Sequence, residues 1–334
     1  MKSEIAAVSY YLPGKILTNE ELADLNKNTS AGELFKRTGV KERRILDRSI
    51  LPSDFALASF RNFLQQHPKI DPNEIDFLIH CSEGTDYRSP CTAAVIQHKC
   101  GLTKSTGAFD LSLSCSGYVY GLLLASSLIE SKQAHNVLFI AQGVPSWVVH
   151  EEETEMRALF GDASSCTLIR SASHERIGNF VTGTDGAGEH ALYVDRSSAN
   201  HPLDEKWFGE ENNFCFLPYG RMKMNGVDIF SFSLSVVPGL VAGTLEKNGL
   251  TENDIDLFIF HQANAFMLET LRKKMKIPVE KFVISMEKTG NTVSASIPVC
   301  LSQCILSGRA QKGNKILIAG FGAGFSWAAT VITL

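Results

Sequence analysis

The sequence predicts an α/β fold assembled from two similar halves. The apolar run that begins at Ile75 recurs at Ile255, an offset of 180 residues, and the run that begins at Asn136 recurs at Asn314, an offset of 178. Small and apolar residues separate the two runs of each half over a length that suits a helix. The nearly constant offset indicates a duplicated strand–helix–strand unit.

The repeated runs are apolar at successive positions, which is typical of parallel strands covered on both faces. We therefore expect mostly parallel sheets with right-handed crossovers. The expected strands cover 75–81, 136–141, 255–261 and 314–319. The intervening helices, over 115–131 and 293–307, are apolar on all sides, so we expect them to pack against each other between the two sheets, with their N-termini close together.

Composition narrows the class of protein. Among 334 residues, 44% are hydrophobic and 20% charged, and the net charge is −4. Because no basic region stands out, we expect no nucleic-acid partner. The N-terminus lacks the apolar stretch of a signal peptide, and the most apolar segment, 118–129, is too short to cross a bilayer. We therefore expect a cytoplasmic protein without a membrane span.

The eight cysteines form neither a disulfide framework nor a CxxC pair. Cys300 and Cys304 lie one helical turn apart in an apolar run without nearby histidines. They are better explained as core side chains than as metal ligands. The sequence thus predicts no metal site.

Cys115 stands where a predicted strand gives way to the first buried helix. A helix N-terminus presents unpaired N–H groups and a partial positive charge, which favour a thiolate. The position suits a nucleophile. The alternative is an inert core residue, because free cysteine is among the most buried residue types.

His261 and Asn291 are the second-half candidates. His261 directly follows an apolar strand, at the edge where α/β folds place their sites. Asn291 precedes the helix that pairs with the helix after Cys115, so the duplication brings all three residues to one place. Each has a structural alternative, because both residue types also cap helices.

The segment 320–327 holds three glycines between two apolar strands. A phosphate loop is not favoured, because no helix follows and the GxGxxG pattern is absent. Glycines also let backbone N–H groups point into a cavity, as an oxyanion hole requires.

Together these motifs resemble the β-ketoacyl-acyl-carrier-protein synthase III family of the thiolase superfamily, along the whole chain. The matching segments are 37–44 (RTGVKERR), the surroundings of Cys115, 160–162 (FGD), 261–264 (HQAN), 290–298 and 320–327. The resemblance implies the thiolase-like five-layered αβαβα fold. Its halves would be 1–172 with the cysteine and 173–334 with the histidine and asparagine, usually in a homodimer.

The resemblance also implies a decarboxylative Claisen condensation, in fatty-acid or specialised acyl and polyketide biosynthesis. Cys115 would take an acyl group from acyl-CoA or an acyl-carrier thioester. His261 and Asn291 would stabilise the enolate formed from malonyl-carrier protein as CO2 leaves. The backbone N–H groups of Cys115 and Ala323 would hold the tetrahedral oxyanion, and Phe321 would pack beside the site. No metal or redox cofactor is implied.

Four positions depart from the family pattern. Glu33 replaces the aromatic residue that stacks on the coenzyme A adenine, although the substrate-binding Arg37 is present. Ser89 replaces a phenylalanine that crosses the dimer interface and shapes the partner's acyl pocket. Thr154 replaces a second arginine that contacts coenzyme A, and Phe266 replaces a basic residue expected to touch the carrier protein.

These departures indicate a specialised relative of the fatty-acid primer enzyme. We expect a medium-length, branched or aromatic acyl group, carried by coenzyme A or a carrier protein, in preference to acetyl-CoA. Lys273 and Lys274 are candidate contacts with an acidic acyl carrier protein. The alternatives are transfer of the acyl group from Cys115 to a hydroxyl, amine or water, and a catalytically silent partner subunit.

Overall fold

The first half of the chain forms a five-stranded sheet. In the computed structural model, which describes residues 2–195 and 220–334, the strands lie in the spatial order β1-β7-β6-β4-β5. Their bounds are β1 (Lys2–Tyr11), β4 (Phe77–Cys81), β5 (Gly107–Leu111), β6 (Asn136–Gly143) and β7 (Ala163–Ala172). Strands β6, β4 and β5 are parallel, whereas β7 is antiparallel to both β1 and β6.

The second half forms a four-stranded sheet in the order β11-β12-β13-β8. Its strands are β8 (Val181–Thr184), β11 (Leu257–Phe260), β12 (Lys315–Gly322) and β13 (Ser326–Thr333). Two small antiparallel ribbons pair β2 (Lys15–Thr18) with β3 (Glu42–Ile45) and β9 (Leu192–Asp195) with β10 (Arg221–Met224). The division of the chain at 172/173 stays a prediction.

Nine α-helices occur in the described ranges. They are α1 (Asn19–Leu25), α2 (Ala31–Thr38), α3 (Pro52–Gln66), α4 (Thr92–Lys99), α5 (Gly117–Glu130), α6 (Thr154–Leu159), α7 (Gly226–Lys247), α8 (Ala265–Lys274) and α9 (Ser296–Leu306). Helices α3 and α4 cover the outer face of the first sheet, and α7 and α8 lie outside the second. Helices α5 and α9 contact both sheets and form the middle of five layers, αβαβα.

The duplication extends to the hydrogen bonds at the strand ends. The Asp76 carboxylate accepts from the backbone N of Asn136 at 3.0 Å, and the Asp256 carboxylate accepts from the backbone N of Lys315 at 2.8 Å. Each aspartate ties the start of one strand to the start of its parallel neighbour. The two halves therefore share a structural device as well as a strand order.

The expected central helices are confirmed, and their N-termini do approach each other. A Cβ placed on Gly117, the first residue of α5, would lie 3.7 Å from Ser294 Cβ, just ahead of α9. Cys300 and Cys304 on α9 are buried in the core, as expected. The expectation of mostly parallel sheets is wrong, because β4 is parallel to β5 and β6, and β11 to β12, whereas the other strand pairs of the two sheets are antiparallel.

Helix α7 has no counterpart among the helices expected from the sequence. It has 22 residues and is long and apolar enough to cross a membrane, by length and composition only. It packs on β12 and β13 through side chains such as Phe232 and Val237, both buried. Core helices of soluble proteins can have the same length and composition, so this one helix is weak evidence for a membrane span.

Candidate active site

Cys115, His261 and Asn291 line one cavity of about 190 Å³ between the halves. Cys115 comes from the turn between β5 and α5, and His261 directly follows β11. Asn291 precedes a 3-10 turn, Val293–Ala295, that leads into α9. All three side chains are at most 5% exposed. Arg37 and Phe321 line the same cavity.

The Cys115 thiol lies against the glycine-rich turn between β12 and β13. A Cβ on Gly322 would stand 2.9 Å from Cys115 Sγ, and one on Gly320 would stand 2.9 Å from the Cys115 carbonyl oxygen. Such distances leave no room for a side chain, so both positions need glycine. The close backbone approach expected from the sequence is thereby confirmed.

The electrostatics of Cys115 differ from the sequence expectation. Burial raises the pKa of its thiol to about 12, and the charge of Glu83 adds to the rise, while a hydrogen bond from the Ala323 backbone opposes it. The expectation of a thiolate in the resting site is wrong, because burial outweighs the helix N-terminus. Cys115 therefore holds its proton near neutral pH, and attack on a carbonyl requires its removal.

His261 is neutral in this site. Burial lowers its pKa to about 3, opposed only by a hydrogen bond with the Val293 backbone. Its Nδ1 lies 2.7 Å from Ser296 Oγ on α9, and its ring meets Phe321 edge-on at 6.0 Å. Phe321 thus packs beside the site as expected. A neutral imidazole held in this way can donate one N–H hydrogen bond to the oxygen of a bound carbonyl.

Asn291 holds the turn before α9 and faces the cavity. Its Oδ1 accepts from Val293 N, the first N–H of that turn, at 2.9 Å, whereas α9 itself begins after Ala295 without a side-chain cap. Its Nδ2 donates to the Ala263 carbonyl at 3.2 Å. An amide nitrogen carries two hydrogens, so one remains for a ligand in the cavity. The hydrogen bond to Val293 and ligand binding are therefore compatible at this residue.

Arg37 lies at the cavity on α2, with its side chain half exposed. It pairs with Glu155 on α6, and its backbone carbonyl accepts from Asn264 Nδ2 at 3.0 Å. Asn264 also caps α8 through its Oδ1. Glu33, one turn before Arg37, uses its carboxylate to cap α2 through Ser30.

Other predicted residues lie outside the cavity. Ser89 is exposed on the loop before α4 and does not line the cavity of its own chain. Lys273 and Lys274 are exposed in the last turn of α8, where Lys273 pairs with Glu269. The Asp162 carboxylate of the FGD segment is buried and accepts from the backbone N atoms of Leu46 and Ser146, so its role is to join loops.

Sequence reasoning missed several residues at this site. The cavity wall includes apolar side chains of α6, β9, β10, α7 and α8: Leu159, Leu192, Met224, Ile229, Phe230 and Met267. Phe266 is 65% exposed beside this wall and stacks on Phe230, with ring centroids 5.8 Å apart. Ser296, the partner of His261, carried one available signal, since it stands at the start of the predicted helix in the same segment as Asn291.

Comparison with known proteins shows the family to which the chain belongs. Family models described as 3-oxoacyl-[acyl-carrier-protein] synthase III and its C-terminal domain match residues 109–186 and 245–334. The β-ketoacyl-[acyl-carrier-protein] synthase III of Caldanaerobacter subterraneus is 33% identical over 98% of this chain and 96% of its own.

Solved structures agree as well. A 3-oxoacyl-(acyl-carrier-protein) synthase III structure superposes with a TM-score of 0.94, at 36% identity over all of both chains. The structure of a 3-oxoacyl-(acyl-carrier protein) synthase from Burkholderia xenovorans superposes with a TM-score of 0.90 at 30% identity, over 100% of this chain and 94% of its own. The chain therefore belongs to the 3-oxoacyl-[acyl-carrier-protein] synthase III family, acyltransferases of the thiolase fold that condense thioesters in fatty-acid biosynthesis.

Proposed function

We propose that Cys115 carries the acyl group and that His261 and Asn291 act on the malonyl thioester. The observation that supports this assignment is the convergence of the three side chains, from separate elements of both halves, on one buried cavity. Acylation splits a difficult condensation into two steps. In the first step, Cys115 Sγ attacks the donor thioester and the donor thiol leaves.

The oxyanion of that step is held by backbone N–H groups. The Ala323 backbone N–H is close enough to the Cys115 sulfur to lower the pKa of the thiol, and the Cys115 N–H stands at the start of the buried helix. Donors fixed before the reaction stabilise developing charge without reorganising. The tight fit of Gly322 against Cys115 keeps this turn in place.

In the second step, malonyl-carrier protein loses CO2 and the resulting enolate attacks the acyl-Cys115 carbonyl. The enolate oxygen is bound by the neutral His261 ring and by the remaining N–H of Asn291 Nδ2. Both groups are buried, so their hydrogen bonds act in a low dielectric. This step needs neither a metal nor a redox cofactor.

The donor is a medium-length, branched or aromatic acyl group, delivered by coenzyme A or by a carrier protein, in preference to acetyl-CoA. The cavity wall is apolar, and Ser89 leaves the partner's pocket without the bulk of a phenylalanine in the homodimer. Glu33 caps its own helix and offers no ring to an adenine. Lys273 and Lys274 contact an acidic carrier protein. The enzyme works in the cytoplasm.

The two steps are tested separately with Asn291→Ala. Intact-mass analysis should find the acyl group on Cys115 at the wild-type rate, because Asn291 acts later. Condensation should fall about 10²-fold or more, the scale for losing one oxyanion donor. Cys115→Ala is the control that abolishes acylation. Condensation by Asn291→Ala at the wild-type rate would reduce this residue to a helix cap.

The donor is tested with acyl chains from acetyl to decanoyl on both carriers, with kcat/KM as the readout. Ser89→Phe should shift the optimum toward short chains, while Ser105→Phe, on an exposed loop elsewhere, should leave it in place. A wild-type optimum at acetyl-CoA would contradict the proposed donor.

A further inference from the structure

Glu83 is a carboxylate that the roles above leave unused. It lies two residues beyond the end of β4, where the parallel strands β4 and β6 finish side by side. Its Oε1 accepts from Val144 N at 2.9 Å. Its Oε2 is shielded from solvent and has no hydrogen-bond partner among the described residues. An unpaired buried carboxylate oxygen is costly, so its retention calls for an explanation.

The same edge of the sheet holds the start of α5. A Cβ on Gly117 would lie 2.4 Å from Cys81 Sγ, so the first turn after Cys115 packs directly on the end of β4. The charge of Glu83 acts on both thiols and adds to the pKa rise that burial causes at Cys81 and Cys115. Glu83 is therefore an electrostatic neighbour of the nucleophile.

The duplication relates the segment of Glu83 to the segment of His261. At the offset of 180 residues, Cys81 corresponds to His261 and Glu83 to Ala263, so Glu83 lies two residues beyond the counterpart of His261. The ends of β4 and β11 thus approach the nucleophile from the two halves. One supplies an imidazole, and the other supplies a carboxylate.

The acid–base properties of the two groups differ. Acylation must remove the proton of Cys115, but His261 is a weak base, because burial lowers its pKa to about 3. Burial raises the pKa of Glu83 to about 7, and the charge of Asp162 adds to that rise. A general base is most effective when its pKa lies near the working pH. The titratable groups that interact with Glu83 through their charges are Cys81, Cys115 and Asp162.

We propose that Glu83 is a further catalytic residue, whose Oε2 accepts the Cys115 thiol proton as Sγ attacks the donor thioester, directly or through one water. This inference rests on the proposed acylation of Cys115. The bond from Sγ to the acyl carbon forms, and the bond from that carbon to the donor sulfur breaks. The proton passes from Sγ to Oε2 and then to the departing thiolate, so atoms and charge balance.

The experiment measures the rate of Cys115 acylation by rapid quench and intact mass, with octanoyl-CoA and octanoyl-carrier protein, across about pH 5.5 to 9. Glu83→Gln keeps the acceptor for Val144 N but loses the base. We expect its rate at about pH 7.5 to be 10²-fold below wild type, the lower end of general-base contributions. Glu74→Gln, an exposed glutamate before β4, is the matched control and should equal wild type.

The pH profile separates proton transfer from a structural role. The wild-type rate should fall about tenfold per pH unit below pH 7, as Glu83 becomes protonated. Glu83→Gln should lose this dependence, and Glu83→Asp should be slower but keep it. Thermal melting shows that the variants fold, and Glu83→Asp serves as the test if Glu83→Gln does not.

Wild-type rates and profiles in the glutamine and aspartate variants would overturn the role of Glu83 and leave the acylation of Cys115 standing. Absence of an acyl group on wild-type Cys115 would overturn the proposed function and this inference together. The two failures are therefore distinguishable in one data set.

Discussion

The two central helices begin differently, although they come from halves with one plan. Helix α5 starts two residues after Cys115 and leads directly away from the thiol. Helix α9 is preceded by the 3-10 turn Val293–Ala295, whose first N–H is bound by Asn291 Oδ1. The duplication thus brings two helix N-termini to one place. One presents the thiol of Cys115, and the other presents the side-chain amide of Asn291.

The strand ends differ in a similar way. At the end of β11, burial lowers the pKa of His261, and beyond the end of β4, burial raises that of Glu83. The same physical cause moves a base and an acid in opposite directions, because burial disfavours whichever form is charged. Near pH 7, His261 is therefore neutral and Glu83 is about half protonated. The two copies of the repeated unit therefore carry groups with different acid–base properties at their strand ends.

The largest effect on the condensation rate is expected where Gly322, in the second half, packs against Cys115, in the first. Gly322→Ala places a Cβ 2.7 Å from Cys115 Cβ, so the thiol must move. Misplacement of a reacting atom by about 1 Å costs about 10²-fold, and we expect at least that loss in condensation rate. Gly243→Ala on α7, where a Cβ meets no atom within 4 Å, should keep full activity. Full activity in Gly322→Ala would show that the turn adjusts freely.

A smaller effect is expected from Ser296→Ala, which removes the partner of His261 Nδ1. The hydrogen bond contributes about 1–1.5 kcal/mol, so condensation should slow about tenfold while Cys115 acylation stays unchanged. Ser302→Ala, also buried on α9, is the control. Equal losses in both steps would mean that Ser296 supports the whole site and not the imidazole alone.

The smallest effect concerns stability. The pKa of Glu83 rises from an ordinary 4.5 to about 7 in the folded chain, so the unfolded chain loses this proton first as pH rises. Folding stability attributable to Glu83 should therefore fall between those pH values and stay low above them. Glu83→Gln removes this loss, and we expect a Tm about 2–4 K above wild type at pH 8. Scanning calorimetry at pH 4.5 should give equal values for the two proteins.

The sequence was most informative where a signal is repeated. The strands that begin near Ile75 and Ile255 are continuous apolar runs at a fixed offset, and this spacing was enough to place the central helices. The convergence of Cys115, His261 and Asn291 follows from that duplication. The direction of the outer strands could not be predicted from the duplication. Strands β1, β7, β8 and β13 lie outside the repeated unit and pair antiparallel.

The partners of the site residues could not be predicted in the same way. Glu83 stands in a polar run that is typical of an exposed loop, yet its Oε2 is shielded from solvent and its Oε1 is bound by Val144 N, 61 residues away in the sequence. At Glu33 the sequence indicates only the loss of an aromatic ring, whereas the carboxylate caps α2 through Ser30. The pKa of Cys115 depends on how much protein surrounds the helix N-terminus, which local sequence does not report.

Backbone pairing between Asn291 and the pocket wall constrains how this enzyme can diversify. Asn291 N donates to the Leu159 carbonyl at 2.9 Å, and Gly161 N donates to the Asn291 carbonyl at 3.1 Å. An insertion or deletion beside Leu159 would therefore shift the Asn291 side chain within the cavity. We therefore expect the substrate range to change through substitutions of the side chains on this wall, while the length of the loop stays the same.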